Sequence, residues 1–233
     1  MTDTLTIPAR DGSGSFQCFV AEPDETAAPA VIAIQEIFGV NAAMREICHD
    51  LATQGYLAVC PDLFWRQEPG IQLTDKTEQD WARAFELYKG FDVDKGIEDI
   101  AATIDTLRNH AACTGKVGVI GFCLGGLLAY LTAARTDPDA AVGYYGVGIH
   151  EKLDEASKIQ TPVILHIAEE DGFVDKAAQA AMHEGLEDHP KVTLYDYAGV
   201  DHAFARPGGT HEDKHAAALA NQRTAEFLAN QLK

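Results

Sequence analysis

One stretch does most to limit the folds open to this chain: Lys116-Val117-Gly118-Val119-Ile120-Gly121-Phe122-Cys123-Leu124-Gly125-Gly126. Residues 117–120 form a β-branched run of the kind that makes a short buried strand. Residues 127–134, Leu-Leu-Ala-Tyr-Leu-Thr-Ala-Ala, continue as a helix. The turn between them carries Cys123, with Gly121 two positions before it and Gly125 two positions after. A strand that passes straight into a helix makes a tight corner. The flanking chain comes so close there that a Cβ would clash, which is what the glycines relieve. This is the form of a nucleophile elbow, with cysteine where serine is more usual. The helix N-terminus behind it offers backbone N–H donors and a positive dipole end, and both favour a thiolate and a developing oxyanion. A lone Gly-x-Cys-x-Gly is a weak pattern, since free cysteines are often small buried hydrophobes. Its weight comes from its place between strand and helix, and from what lies downstream.

The rest of the chain alternates. Residues 5–7 and 15–20 read as a hairpin across Arg10-Asp11-Gly12. Residues 31–34 are an apolar strand, and Asn41 can cap a helix with Met44, Ile47, Cys48 and Leu51 on one face, stopped by Gly55. Residues 56–60 are the next strand. A helix is expected to begin at Asp75, with Trp81, Phe85 and Tyr88 as a core-facing stripe, and another at 94–109 with Ile97, Ile100, Ile104 and Leu107 inward. After the elbow come strands at 140–145, 163–167 and 192–197, and helices at 177–186 and 213–232. A hairpin followed by such alternation implies a mostly parallel sheet with helices on both faces, the α/β class. No repeat, low-complexity tract or linker interrupts it, so a single domain over 1–233 is expected.

Composition excludes several roles. The net charge of −18 argues against nucleic acid and against anionic membranes as partners. It also means that an anionic substrate would need local positive charge. Cysteines stand at 18, 48, 60, 113 and 123, an odd number with no C-x-x-C, so neither a disulfide framework nor a zinc site is suggested and no metal or other cofactor is expected. A reducing cytoplasm fits. Residues 1–5 show no basic region and no apolar core, so no signal peptide is read there. The uncharged run 117–134 has 18 residues, near the length of a membrane span, but glycines at 118, 121, 125 and 126 break it, and strand-turn-helix explains it as core. We expect a monomer.

In such a sheet, chemistry gathers past the carboxyl ends of the strands. The loop after 163–167 reads Ala168-Glu169-Glu170-Asp171-Gly172-Phe173-Val174, and the loop after 192–197 reads Ala198-Gly199-Val200-Asp201-His202-Ala203-Phe204. Cysteine, acid, histidine is therefore the order of an α/β-hydrolase triad. Asp171 follows Cys123 by 48 residues and His202 follows Asp171 by 31, each about one strand-helix module. In that set a cysteine attacks as thiolate, a histidine moves the proton near neutral pH, and an acid fixes the imidazole tautomer. Glu169, Glu170 and Asp175 are rivals for the acid, and Asp171 is preferred because Gly172 would allow a sharp turn. His166 lies inside a strand and reads as core, while His211 and His215 read as solvated. For the oxyanion hole one donor is the N–H of Leu124, and the other should come from Gln35-Glu36-Ile37-Phe38-Gly39 after the strand 31–34. A charged Glu36 there is either a solvated loop acid or a proton acceptor and charge partner for Cys123.

These residues resemble the dienelactone hydrolases, α/β-hydrolases with a Cys-His-Asp triad. The likeness rests on Gln35-Glu36-Ile37-Phe38-Gly39-Val40-Asn41, Gly55-Tyr56, Cys60-Pro61-Asp62-Leu63, Gly121 to Gly126, Gly143-Tyr144-Tyr145-Gly146 and the Asp171 and His202 loops, and it covers essentially the whole chain. It implies Cys123 as nucleophile, His202 as base, Asp171 as its orienter and Glu36 as the resting partner of the thiol. It also implies oxyanion donors at Ile37 and Leu124, and Arg206 as a clamp for a substrate carboxylate. Trp81, Phe85, Tyr88 and Tyr145 are candidates for lining the substrate site. The family's reaction opens an enol-lactone from aromatic degradation to maleylacetate. The alternative is a broad carboxylesterase or thioesterase using the same triad. One departure stands out: the family pattern puts a second carboxylate-binding arginine where this chain has Trp81, and Arg83, two residues on, lies roughly 200° around the helix.

Overall fold

The hairpin that opens the chain is β1 (Thr4–Pro8) and β2 (Ser15–Ala21), antiparallel with Ile7 opposite Phe16. Ile7, Phe16 and Cys18 alternate inward, as a strand with one wet face requires. The computed structural model describes residues 4–233. The chain divides into two compact units, one ending at Gly118 and one beginning at Val119. The eight strands among the described residues, the two of the hairpin together with β3 (Ala28–Ile34), β4 (Leu57–Pro61), β5 (Cys113–Phe122), β6 (Ala140–Tyr144), β7 (Val163–Ala168) and β8 (Val192–Tyr197), make a mixed sheet in the order β1-β2-β4-β3-β5-β6-β7-β8. No helix among the described residues is long and apolar enough to cross a membrane.

In the first unit, β3 (Ala28–Ile34) and β4 (Leu57–Pro61) pair in parallel, and β2 pairs antiparallel with β4. Nearly every residue of β3 and β4 is buried, which is why both are continuous apolar runs rather than alternating ones. Between them lies α1 (Ala42–Thr53), capped by Asn41, whose side-chain oxygen accepts from the Met44 N–H at 3.1 Å. The helix expected from Asp75 begins three residues later. This is α2 (Glu78–Lys89), and it starts where Thr77 can cap it by accepting from the Asp80 N–H. Asp75 instead gives its carbonyl to the indole N–H of Trp81. The expected core stripe is also corrected. The helix buries Ala84 and Leu87 and half-buries Trp81 against Phe38, while Phe85, farther round the helix from Ala84 and Leu87, and Tyr88 are exposed. α3 (Val93–Arg108) is capped by Asp92 and buries Ile97, Ile100, Ile104 and Leu107 as expected.

The strand β5 (Cys113–Phe122) runs into the second unit and is longer than its apolar part. There α4 (Leu124–Arg135) is buried at every residue but Arg135. It packs on β6 (Ala140–Tyr144), and Gly126 makes this possible: a Cβ there would lie 2.6 Å from the Tyr144 carbonyl oxygen. A 3-10 stretch, Ile149–Lys158, follows, which no periodicity announced. β6, β7 (Val163–Ala168) and β8 (Val192–Tyr197) pair in parallel, with Leu165 opposite both Gly143 and Leu194. α5 (Lys176–Leu186) starts at Asp175, and α6 (Lys214–Leu232) at Asp213, both acids accepting first-turn N–H groups.

Candidate active site

The site is assembled within the second unit, from the ends of β5, β7 and β8. Cys123 sits at the corner between β5 and α4 with φ 56° and ψ −114°, a conformation that costs a non-glycine residue about 1–3 kcal/mol. Backbone hydrogen bonds hold it there, among them one from the Leu127 N–H to its carbonyl at 3.3 Å. Its N–H donates to the Tyr144 carbonyl at 3.1 Å, and its carbonyl accepts from Gly126 at 3.0 Å and Val147 at 3.3 Å. A Cβ on Gly121 would lie 1.8 Å from the Gly125 carbonyl oxygen, so the corner closes only with glycine at 121. Leu124 is the first residue of α4, so its N–H is one of the helix's unpaired leading donors and points from beside the sulfur-bearing residue.

His202 lies past β8, 3% exposed, and Asp171 past β7, 6% exposed. The imidazole Nδ1 is 2.9 Å from Asp171 Oδ2 and 3.1 Å from Oδ1. Asp171 Oδ1 also accepts the N–H groups of Phe173 at 2.8 Å and Val174 at 3.2 Å, so its carboxylate is tied to its own loop before it meets the histidine. The other ring nitrogen, Nε2, is buried with no hydrogen bond of normal geometry. It is close enough to Cys123 for the sulfur to act on it. Burial disfavours the imidazolium, but a negative sulfur at Cys123 and the bond to Asp171 outweigh it, and the pKa of His202 is pushed up to about 10. The ring is packed edge-on by Tyr145 at 5.0 Å and by Phe173 at 4.9 Å between centroids. Tyr145 is itself held at φ 39° with its N–H on the His166 carbonyl.

Two of the three rivals for the acid are otherwise engaged: Asp175 caps α5, and Glu170 pairs with Lys176 on the surface. The chain does bend at Gly172, as expected, but the bend does not need glycine. Gly172 has no positive φ, and a Cβ there would meet its nearest atom at 3.8 Å, an ordinary contact. What selects Asp171 is the Asx-type turn made by its own carboxylate. His166 is core, as expected, between Tyr197 Oη at 2.7 Å and Thr224 Oγ1 at 2.9 Å, and His211 is exposed. Arg206, four residues after His202, is buried at 6% exposure rather than lying on the surface.

Glu36 and Ile37 lie in the first unit, just past β3, and both are buried, so Glu36 is not a solvated loop acid. Trp81 rests edge-on against Phe38 of the same loop at 5.0 Å, and Phe85 packs on Trp81 at 5.5 Å. Arg83 is engaged by Glu68 and Glu86. Sequence reasoning missed Phe173. Nothing in the sequence announced it: its ring, 49% exposed, meets the imidazole from a loop 29 residues away along the chain.

The dienelactone hydrolase family model matches residues 16–232. A carboxymethylenebutenolidase of Pseudomonas putida is 40% identical over 229 residues, covering 98% of this chain and 97% of that protein. An Azospirillum brasilense protein to which the same activity is ascribed provisionally is 49% identical over 234 residues, covering all of both chains. Among solved structures, one from Klebsiella pneumoniae, described provisionally as a dienelactone hydrolase, superposes with a TM-score of 0.85 at 24% identity, over 97% of this chain and 98% of that one. The dienelactone hydrolase-like phosphotriesterase P91 from metagenomic libraries gives 0.81 at 22% identity, over 99% of each. These two structures bear on the fold alone.

Proposed function

Because the chain belongs to the dienelactone hydrolase family, we propose that it opens an enol-lactone of the carboxymethylenebutenolide type through a Cys123 acyl-enzyme. It is a hydrolase acting on an ester or lactone. In the proposed cycle the Cys123 thiolate adds to the lactone carbonyl carbon. The ring C–O bond breaks, the departing enolate oxygen takes the proton that His202 holds on Nε2 and leaves the imidazole neutral, and a thioester remains on sulfur. His202, its Nδ1 held by Asp171, then takes a proton from water through Nε2. The hydroxide adds to the thioester carbonyl, the C–S bond breaks, and the acid leaves, maleylacetate for this substrate. The N–H of Leu124 faces the developing oxyanion, worth on the order of 3 kcal/mol for one such donor. Glu36 as partner of the thiol and Ile37 as second donor remain assigned by family resemblance. The observation that carries the reading is the buried His202–Asp171 bond beside a cysteine on a strained strand-to-helix corner.

A broad carboxylesterase with the same triad is the second reading. It is favoured by Trp81 at the place of the family's second arginine, with the nearby Arg83 committed to Glu68 and Glu86. The test is kcat/KM for one anionic dienelactone and one neutral aryl ester, in wild type and in Arg206→Ala. A carboxylate clamp at Arg206 predicts a loss of about tenfold to a hundredfold on the anionic lactone and much less on the neutral ester. Equal losses on both would remove the clamp, and a wild type that turns over only neutral esters would establish the second reading.

A further inference from the structure

Asp201 stands immediately before His202, and its side chain has no place in the triad. Its Oδ1 accepts two backbone N–H groups at once: that of Gly172, directly after Asp171, at 2.9 Å, and that of His202 itself at 2.6 Å. One carboxylate oxygen thus joins the residue after the acid to the residue that bears the base, across 29 positions of sequence. Its other oxygen faces outward, 3.3 Å from Nδ1 of the exposed His211.

The backbone here needs such a hold. Ala203, next along, sits at φ 63°, where a residue with a Cβ pays a strain that its surroundings must offset. The main-chain bonds between the two loops, Glu169 to Tyr197 and Glu170 to Val200, both lie upstream of the triad members. Past those points the Asp201 carboxylate is what spans the gap. Its negative charge strengthens that span: burial works against it, but the Gly172 and His202 N–H donors hold its pKa below the usual range.

We propose that Asp201 is a positioning residue, a clasp that fixes the Asp171 loop against the His202 loop and so sets the Nδ1–carboxylate bond. The proposal rests on the triad reading above. An imidazole displaced by even about 1 Å from its partners costs rate steeply, on the order of a hundredfold, without weakening substrate binding to the same degree.

The experiment compares Asp201→Ala and Asp201→Asn by kcat and KM, and by the low-field proton NMR signal of the His202 Nδ1–H, which reads the bond to Asp171 without substrate. The clasp predicts that Asp201→Ala lowers kcat about tenfold to a hundredfold with KM within about twofold, and broadens or shifts the proton signal. Asp201→Asn, which keeps an acceptor oxygen, restores most of the loss. A signal and kcat unchanged in Asp201→Ala overturn the proposal. So does an Asp201→Asn variant as impaired as Asp201→Ala, which would give the effect to charge alone. Should the alanine variant not fold, Asp201→Glu takes its place, since it moves the acceptor by one methylene. Asn better than Glu supports the clasp, and equality overturns it. A displaced proton signal in a protein that opens no lactone supports the clasp and removes the proposed function instead.

Discussion

At the scale of single residues, this site depends on a few atoms held where they would not go unaided. Gly121 is the sharpest case. Gly121→Ala puts a Cβ 1.8 Å from a backbone oxygen that cannot swing away. We expect a loss of at least about 2 kcal/mol, read as a fall in Tm of about 4–8 °C. Gly172→Ala, with its nearest neighbour at 3.8 Å, should leave Tm nearly unchanged and serves as the control. A tolerated Ala at 121 would mean that the corner is not closed as described. His202 gives a second expectation. Its folded pKa, about 10, lies above its ordinary value of 6.5, so the folded protein holds this proton more tightly than the unfolded chain. That contribution to stability is fully present below pH 6.5 and is lost as pH rises towards 10. Because a negative sulfur is the largest of the influences that raise it, Cys123→Ala should lower the imidazole midpoint by at least about one pH unit, followed by NMR. An unmoved midpoint would separate the two side chains.

Elements explain why those residues stay put. Beneath the site, His166 of β7 is caught between Tyr197 of β8 and Thr224 of α6, and Tyr144 of β6 also bonds Thr224 at 2.7 Å. Burial, with the nearby Arg223 charge adding to it, lowers the pKa of His166 from 6.5 to about 3. Here the sign is opposite to that of His202. The unfolded chain takes up the proton first, so stability is full above pH 6.5 and falls as pH drops towards 3. Between pH 6.5 and about 4.5, above most carboxylates, unfolding free energy should fall at up to about 1.4 kcal/mol per pH unit. His166→Gln should flatten that slope, whatever it does to stability itself. A denaturant titration at several pH values would show an identical slope in the variant if the account is wrong. α2 shows where element-level reading of sequence stops. Periodicity found the helix and its aromatic stripe. It could not tell that Ala84 and Leu87, not Phe85 and Tyr88, meet the core, because that depends on which neighbour the helix lies against.

At the scale of the whole molecule, the α/β alternation was readable because buried parallel strands must be apolar runs and their helices must carry caps. Asn41, Asp92, Asp175 and Asp213 all cap where side-chain chemistry allows. Cys123, Asp171 and His202 were readable as candidates because they lie past the ends of β5, β7 and β8, which the apolar runs disclose. Asp201 and Phe173 were not, since their importance lies in which N–H or ring they meet across some 30 residues, and no local pattern encodes that. The same holds for the 3-10 stretch at Ile149–Lys158. A chain of net charge −18 gains nothing from its bulk field in binding an anion, which is why the Arg206 comparison carries the question of substrate charge. The central claim, that one sulfur carries the acyl group, has a direct measurement. Quenching the enzyme during turnover of a slow ester and mapping the peptides by mass should place the acyl adduct on the peptide bearing Cys123 and on none bearing Cys18, Cys48, Cys60 or Cys113. Cys123→Ala should form no adduct and lose nearly all hydrolysis. An adduct elsewhere, or a Cys123→Ala enzyme within about tenfold of wild type, a barrier change of only ~1.4 kcal/mol, would contradict the account.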